Sequence, residues 1–387
     1  MLRRARAWVD HSVRANRRED GLYHSYNLVA FGSEGEVVVR RLPEMLEGQV
    51  AVLGAALLTP EEEASLLTSL RASALFREDQ HSYLLYPDRD LPGFLEANQV
   101  SAERAAAIPL LAQLAEAGDT SLVVCDASGT LHFAAPHRNA EQVATALDAL
   151  ATGGPHAEAA ARDREAVLAL YEELFDHGAF TGRSGTFYGY EGLGCIYWHQ
   201  VSKLLLAVRE RCDREPEGAA DPALEAVYDD VRLGLGTHKT PAVYGAFPTD
   251  PYSHTPSFAG AQQPGMTGQV KEDWLARMAE LGVAVRGGRL HLGPTRAHAV
   301  EFLEESGSLS LVAAGGDEVT VPLSPGTLGI SCFQVPVVLH RGGAPRVVLT
   351  DASGTTTEIE GHVLDEATSA GLFARATGLQ RIDVFGR

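Results

Sequence analysis

Apolar residues recur at helical spacing through most of residues 1–282. The clearest helix start is Thr59-Pro60-Glu61-Glu62-Glu63, where Thr is suited to cap the first turn, Pro to open it and carboxylates to face the positive end of the helix dipole. Leucines follow at positions that share one helix face: Leu66, Leu67, Leu70 and Leu75. The same periodicity predicts further helices near 43–58, 101–117, 139–151, 155–177, 189–214, 220–233 and 267–281. Similar lengths and short connections indicate stacked helical hairpins.

After about residue 283 the pattern changes to alternation of apolar and polar residues, which is typical of strands. Two short alternating runs flank Gly287-Gly288, and this arrangement predicts a β-hairpin. The sequence therefore predicts a mainly α protein with a helical domain over 1–282 and a C-terminal antiparallel β-sandwich over 283–387. Within the helical domain, residues 119–134 predict a small inserted hairpin, and residues 78–95 predict a loop or short strand.

Composition narrows the possible partners. The formal net charge is −19 and 45% of the residues are hydrophobic, so the chain can bury a core but lacks the basic surface that nucleic acid or an anionic membrane requires. The cysteines, which are far apart, suit reduced thiols, and no apolar run is long enough to span a membrane. We therefore expect a cytoplasmic protein. The chain begins inside an amphipathic pattern around Trp8, Val9 and Val13, which suggests a late segment of something longer.

The richest chemistry lies between residues 181 and 272. Aromatic side chains are interleaved there with carboxylates, imidazoles and amides among glycines. A sugar presents CH faces flanked by hydroxyls, so rings beside bidentate polar groups suit a glycan site. All three lysines of the chain, Lys203, Lys239 and Lys271, also fall in this stretch.

Structural roles explain several of these residues equally well. Glu191 follows Gly-Tyr at an expected helix start, where a carboxylate stabilises the dipole. Asp250 precedes a proline and suits an Asx turn, and Glu272 next to Lys271 suits a solvated charge pair. Trp198 and His199 suit a buried ring beside a satisfied imidazole.

Other chemistries are poorly supported by the motifs. The histidines have no metal-binding spacing, Gly182-Arg183-Ser184-Gly185 lacks a nucleophile elbow, and the glycines near 185–194 match no phosphate-loop or dinucleotide fingerprint. We expect no metal and no cofactor.

Three stretches together resemble the late part of six-hairpin (α/α) toroid glycosidases and the related glycoside phosphorylases. They are residues 20–27, the run Tyr190–Gly194 with Tyr197-Trp198-His199, and the aromatic and amide loop at 244–272. The resemblance implies a partial toroid, with a second polypeptide supplying its remaining helices, and an oligosaccharide or glycoside as substrate.

The resemblance also implies roles for individual residues. Glu191, Asp250 and Glu272 would supply the carboxylates that cleave a glycosidic bond by hydrolysis. Substrate contacts would come from Tyr188, Trp198, His199, Lys239, Tyr252, His254 and Gln263. In a phosphorylase, inorganic phosphate replaces water, and Arg183, His238 and Lys239 would bind it. A third possibility is a non-catalytic carbohydrate-binding or structural fragment.

Overall fold

The computed structural model describes residues 1–32, 35–88, 90, 92–176, 194–214, 221–237, 254–255 and 267–386. The buried apolar side chains of these residues form three large clusters. The first, the helical core, lies within residues 22–84 and 196–276. The second, the insertion core, lies within residues 100–175, and the third, the C-terminal core, within residues 281–384.

The described helices are α1 (Leu2–Ala15), α2 (Leu46–Gly54), α3 (Pro60–Ala72), α4 (Phe94–Ala97), α5 (Ala102–Ala107), α6 (Pro109–Ala117), α7 (Ala140–Ala151), α8 (Ala157–Phe175), α9 (Trp198–Cys212), α10 (Pro222–Arg232), α11 (Thr267–Glu280) and α12 (Glu366–Phe373). The described strands are β1 (Asn27–Phe31), β2 (Val37–Arg41), β3 (Phe76–Arg77), β4 (Ser82–Tyr83), β5 (Val123–Cys125), β6 (Leu131–Phe133), β7 (Ile196–Tyr197), β8 (His254–Thr255), β9 (Val283–Arg286), β10 (Arg289–Leu292), β11 (Gly307–Val312), β12 (Glu318–Leu323), β13 (Thr327–Cys332), β14 (Val335–His340), β15 (Arg346–Asp351), β16 (Thr356–Glu360) and β17 (Leu379–Phe385).

The helical core is built around α9, which packs against α2, α10 and α11. Helix α3 begins as predicted, because Thr59 and Glu62 form a reciprocal capping box with Pro60 in the first turn. Leu66, Leu67 and Leu70 then point into the core. The chain forms helices here because its apolar side chains repeat with the period of a helix face.

The insertion core belongs to a segment that leaves the helical part and returns to it at one place. The backbone N–H of Leu85 donates to the carbonyl of Cys195 at 2.8 Å, and the N–H of Leu46 donates to the carbonyl of Leu85 at 3.0 Å. Between Leu85 and Cys195 in the sequence, α6, α7, α8 and the β5–β6 hairpin enclose a core of their own. The stretch predicted as one helix over 101–117 is two helices, since Pro109 holds Ile108 out of helical geometry.

The C-terminal part contains the predicted β9–β10 hairpin and a five-stranded sheet in the order β13-β14-β17-β15-β16. The pairing is mostly antiparallel, as predicted, with one exception: β14 and β17 run parallel. Strand β17 enters the middle of the sheet after α12, whereas its other neighbour, β15, is antiparallel to it. Strands β11 and β12 form a separate two-stranded sheet, and the strands in the described residues close no barrel.

The N-terminal region departs from the helical prediction. Strands β1 and β2 form an antiparallel hairpin, and apolar residues on it, including Phe31 and Val39, are exposed. Helix α1 is amphipathic, as expected, but none of its residues is buried. No described helix is both long enough and apolar enough to cross a membrane.

Candidate functional site

Segments that are far apart in the sequence meet at the N-terminal end of α9. Strand β7, directly before α9, pairs with β8 so that Tyr197 lies opposite His254 in the backbone ladder. Helix α11 packs along α9 and brings Glu272 to the same place. This convergence of β7, β8, α9 and α11 is called the α9 site below.

The α9 site is organised around a buried carboxylate. Glu272 is only 3% exposed, and its Oε2 is 3.2 Å from Nε2 of His199. Its other oxygen, Oε1, is 3.0 Å from the ammonium of Lys271, whose side chain is largely exposed. The pair with Lys271 therefore forms as predicted from the sequence, but the carboxylate is not solvated.

The imidazole of His199 is held on both sides. Its Nδ1 is 3.4 Å from the hydroxyl of Tyr197, and the two rings meet edge to face with centroids 5.8 Å apart. If Nε2 carries the proton, it donates to the Glu272 carboxylate, and Nδ1 is left to accept from the Tyr197 hydroxyl. This arrangement fixes the ring plane, and the long contact at Nδ1 is the one that a ligand hydroxyl would replace.

Of the two roles predicted for Trp198, a buried ring and a substrate contact, the structure supports the buried ring. The side chain is 0% exposed and belongs to the helical core. In this structure no ring surface is left for a sugar, so Trp198 supports the site from inside the core.

Most of the other predicted site residues lie outside the described residues. These are Arg183, Tyr188, Glu191, His238, Lys239, Asp250, Tyr252 and Gln263. For His254 the structure describes the backbone pairing with Tyr197. Among the predicted residues, the structure therefore brings together His199, Glu272 and the backbone of His254.

A second polar cluster, which the sequence did not reveal, lies nearby. Strand β4 contacts β7, and the turn before β4 carries His81, whose Nε2 is 2.8 Å from Oδ1 of Asp230 in α10. Arg71 pairs with the other oxygen of Asp230 at 3.4 Å. Burial raises the pKa of the neighbouring Tyr83 to about 12, with Asp230 adding to the rise and Arg71 opposing it. The signal that was missed is the polar content of residues 78–95, for which the sequence predicts only a loop or short strand.

Burial disfavours the thiolate form of three cysteines, Cys195, Cys212 and Cys332. Burial raises the pKa of Cys195, which lies just before β7, and raises that of Cys212 in α9 to about 12. All four cysteines are free. In the ranges that the structure describes, no group of three or more His, Cys, Asp or Glu side chains is arranged to hold a metal ion.

Comparison with known families gives a match to part of the chain. Residues 91–178 match the model described as GH149 phosphorylase insertion domain 2. These limits nearly coincide with the segment that encloses the insertion core, residues 100–175. The match supports a relation to glycoside phosphorylases and so a carbohydrate-active, phosphorylase-like protein. The comparison with curated proteins found no match.

Proposed function

We propose that this chain carries part of a glycoside phosphorylase, which transfers a glycosyl group to inorganic phosphate. The observation that carries the proposal is the match of residues 91–178 to a phosphorylase insertion domain, in a segment with its own hydrophobic core. That segment joins the helical part beside Cys195, three residues before α9 begins. The inserted module is thus attached at the end of the helical part where the α9 site lies.

Phosphorolysis requires an acid and an anion site. A carboxylic acid protonates the leaving oxygen while a phosphate oxygen attacks the anomeric carbon, so the glycosidic C–O bond breaks and a new C–O bond to phosphate forms. Hydrolysis would use an activated water instead. The family match favours phosphorolysis, and no feature of the described residues favours hydrolysis or a purely binding role.

The contacts of Glu272 decide which role we propose for it. Both oxygens of Glu272 are engaged, by His199 and Lys271, so we assign Glu272 to orienting His199. We assign protonation of the leaving oxygen to Glu191 or Asp250. Substrate contacts are proposed for His199, Tyr188, Tyr252, His254 and Gln263, and phosphate contacts for Arg183, His238 and Lys239.

The architecture is part of the same proposal. Helices α2 and α3 are consecutive and in contact, as are α9 and α10, and these pairs support an interpretation as hairpins of a partial (α/α) toroid. The C-terminal sheet, with the β9–β10 and β11–β12 hairpins beside it, supports a sandwich-like domain. A partial toroid would take its remaining helices from a second polypeptide.

The proposal is tested with the whole protein that contains this chain, together with any second polypeptide that completes the toroid, by incubating a panel of oligosaccharides with and without inorganic phosphate and assaying for sugar 1-phosphate. We expect turnover that depends on phosphate. Glu191→Gln or Asp250→Asn, whichever removes the acid, should lower kcat by about 10²–10⁴-fold.

A matched control is Glu358→Gln, which changes an exposed carboxylate in the C-terminal sheet and should leave turnover unchanged. Full turnover in both Glu191→Gln and Asp250→Asn would overturn the assignment of the acid. Turnover that is independent of phosphate would overturn the function itself.

A further inference from the structure

A cavity of about 570 Å³ lies at the other end of α9, where α9 and α11 meet the β9–β10 hairpin. We call it the β9 cavity, and its lining includes Leu206, Glu210, Arg211, Leu275, Arg286 and Arg296. Its volume is in the range of small-molecule sites. Helix α9 has 15 residues, so the β9 cavity lies about 20 Å from the α9 site.

The hairpin wall of the β9 cavity is fixed to the end of α11 by a close backbone approach. The N–H of Gly293 donates to the carbonyl of Gly282 at 2.7 Å. Gly282 has a φ of +75°, and a Cβ placed on it would lie 2.6 Å from Cα of Gly293. Since only glycine allows this geometry, the backbone itself holds the wall in place.

Arg211, in the last turn of α9, is a buried cation in the lining of the cavity. Its side chain is only 11% exposed, and its Nε has no hydrogen-bond partner among the described residues. Its Nη2 is 3.9 Å from Oε2 of Glu210, which is too far for a hydrogen bond. A buried guanidinium without such partners costs free energy, and an anion in the cavity would remove that cost.

Two carboxylates around Arg211 are held by other arginines. Asp213 accepts hydrogen bonds from the buried Arg209 at 3.0 and 3.1 Å, and Glu63 is paired with Arg214. Burial raises the pKa of Glu63, and the charges of Arg214 and Arg211 oppose the rise. The hydrogen bonds of these carboxylates therefore go to Arg209 and Arg214, whereas Arg211 is in reach of an anion in the cavity.

The C-terminal part adds two more guanidiniums to the lining. Arg286 in β9 is exposed, and its Nη2 donates to the backbone carbonyl of Asp213 at 3.1 Å. Arg296 is 3.9 Å from Glu225, beyond hydrogen-bond distance. Three arginines, Arg211 included, thus converge on one cavity of a chain whose net charge is −19. Guanidiniums grouped in this way suit a phosphate, which they bind through paired hydrogen bonds.

The rest of the lining suits the CH faces and hydroxyls of a sugar. Leu206, Leu275, Val283 and Val285 provide apolar surface, and the Glu210 carboxylate can accept hydrogen bonds from hydroxyls. We propose that the β9 cavity binds a hexose phosphate, with the phosphate on the guanidiniums and the ring on the apolar wall. This inference goes beyond the proposed function and does not rest on it, because it requires no reaction at the α9 site.

The test is hydrogen exchange of the whole protein that contains this chain, with glucose 6-phosphate as the probe. A ligand that joins α9 to the hairpin should slow exchange in residues 283–292, by about tenfold when its concentration is about ten times its Kd. Free glucose should give no protection, and inorganic phosphate should bind more weakly than the probe because it lacks the ring.

Two arginines of the hairpin form a matched pair of variants. Arg286 and Arg289 lie opposite each other in the β9–β10 ladder, and each donates to a backbone carbonyl, but Arg289 bonds to Leu364 on the side of α12. Arg286→Gln should raise the Kd of glucose 6-phosphate by about tenfold or more. Arg289→Gln should change it by less than about twofold.

Arg211→Met separates a binding role from a structural one. Because it removes a buried charge with no hydrogen bond at Nε, the variant should unfold at the same urea concentration as the unaltered protein or at a higher one. It should also lose the protection that glucose 6-phosphate gives to residues 283–292. A loss of stability without the ligand would show that Arg211 serves the fold and would overturn its assignment.

Three further results would contradict the inference. Unchanged exchange in residues 283–292 with glucose 6-phosphate would exclude the site. Equal weakening by Arg286→Gln and Arg289→Gln would show only a general attraction of anions to the hairpin. Equal affinity for inorganic phosphate would exclude the sugar as part of the ligand. None of these outcomes depends on whether the protein carries out phosphorolysis, so the inference and the proposed function fail separately.

Discussion

The pentapeptide Asp-Ala-Ser-Gly-Thr occurs at residues 126–130 and again at 351–355, and it forms the same turn both times. In the first copy, Oδ1 of Asp126 accepts hydrogen bonds from the backbone N–H groups of Ser128 and Thr130. In the second, Asp351 accepts the equivalent pair. Hydrogen bonds from the serine hydroxyls, and then from the backbone, hold the pKa of both carboxyls below the usual range. Turns of this kind depend on local chemistry, which is why the hairpin within residues 119–134 is predictable from the sequence.

Two glycine substitutions should have opposite effects on stability. Gly354 closes the second turn with φ of +81° and has open space around its Cα, so Gly354→Ala should cost about 1–2 kcal/mol from backbone strain alone. Gly371 lies inside α12 with room for a methyl group, so Gly371→Ala should stabilise by about 0.5–1 kcal/mol. Urea denaturation of both variants measures these changes, and the same sign in both would contradict this account.

The contact between His199 and Glu272 is a residue-level feature that sequence reasoning could not supply. Each residue was a candidate from the sequence, but they are 73 positions apart and meet only because α11 packs along α9. The burial of Trp198 has the same origin, since an aromatic residue at a helix start suits a core and a ligand equally well until the neighbours are known.

At the scale of elements, a helix is predicted best where the residues at its ends mark its start or its stop. The predicted range 220–233 became α10 at Pro222–Arg232, where Asp221 caps the first turn, and 267–281 became α11 at Thr267–Glu280. The β1–β2 hairpin was missed because it lies on the surface and has no alternation of buried and exposed residues. The parallel pair of β14 and β17 was missed because strand order is decided by tertiary packing after α12.

Strand β17 carries a pH-sensitive contact in the middle of the sheet. Asp383 is 2.7 Å from Nε2 of His340 and accepts a hydrogen bond from Arg381. Burial alone would raise the pKa of Asp383, but the hydrogen bonds from His340 and Arg381 outweigh it and lower the pKa from its ordinary 3.8. Because the folded pKa is depressed, this stabilisation is present above pH 3.8 and is lost as the pH falls through the lower folded value.

Asp383→Asn should therefore reduce the free energy of unfolding at pH 7 by about 1.5–3 kcal/mol. The difference from the unaltered chain should shrink as the pH falls below 3.8. Urea denaturation across this pH range is the measurement, with Asp317→Asn, at an exposed turn, as the control. A deficit that stays constant down to the lowest pH would show that the ionised carboxylate is not the cause.

At the scale of the whole molecule, the described residues fold around separate cores that are joined by backbone contacts and ion pairs. The insertion core meets the helical part at the backbone contacts of Leu85 with Cys195 and Leu46, and Arg40 forms an ion pair with Asp176 at the end of α8. Helix α11 leads directly into β9, and Arg277 at its end bonds to both Glu280 and Glu301. Stability should therefore be partly local to each core.

Shortening one buried side chain should destabilise the core that contains it and leave the neighbouring core intact. Leu114 is 0% exposed in the insertion core, so Leu114→Ala should destabilise that segment by about 2–5 kcal/mol. Limited proteolysis should then increase within residues 92–176, while hydrogen exchange in α9 stays unchanged. Leu204→Ala, in the helical core, should give the reverse distribution. Equal loss of protection in both segments for either variant would show a single cooperative unit.

Phosphorolysis is the central claim, and product labelling in H₂¹⁸O with unlabelled phosphate tests it most directly. In phosphorolysis the phosphate supplies the oxygen that becomes attached to the anomeric carbon, whereas in hydrolysis water supplies it. We predict that glycan turnover yields a sugar 1-phosphate without ¹⁸O at the anomeric position. A free reducing sugar formed with ¹⁸O in the initial products, and no sugar 1-phosphate, would contradict the account.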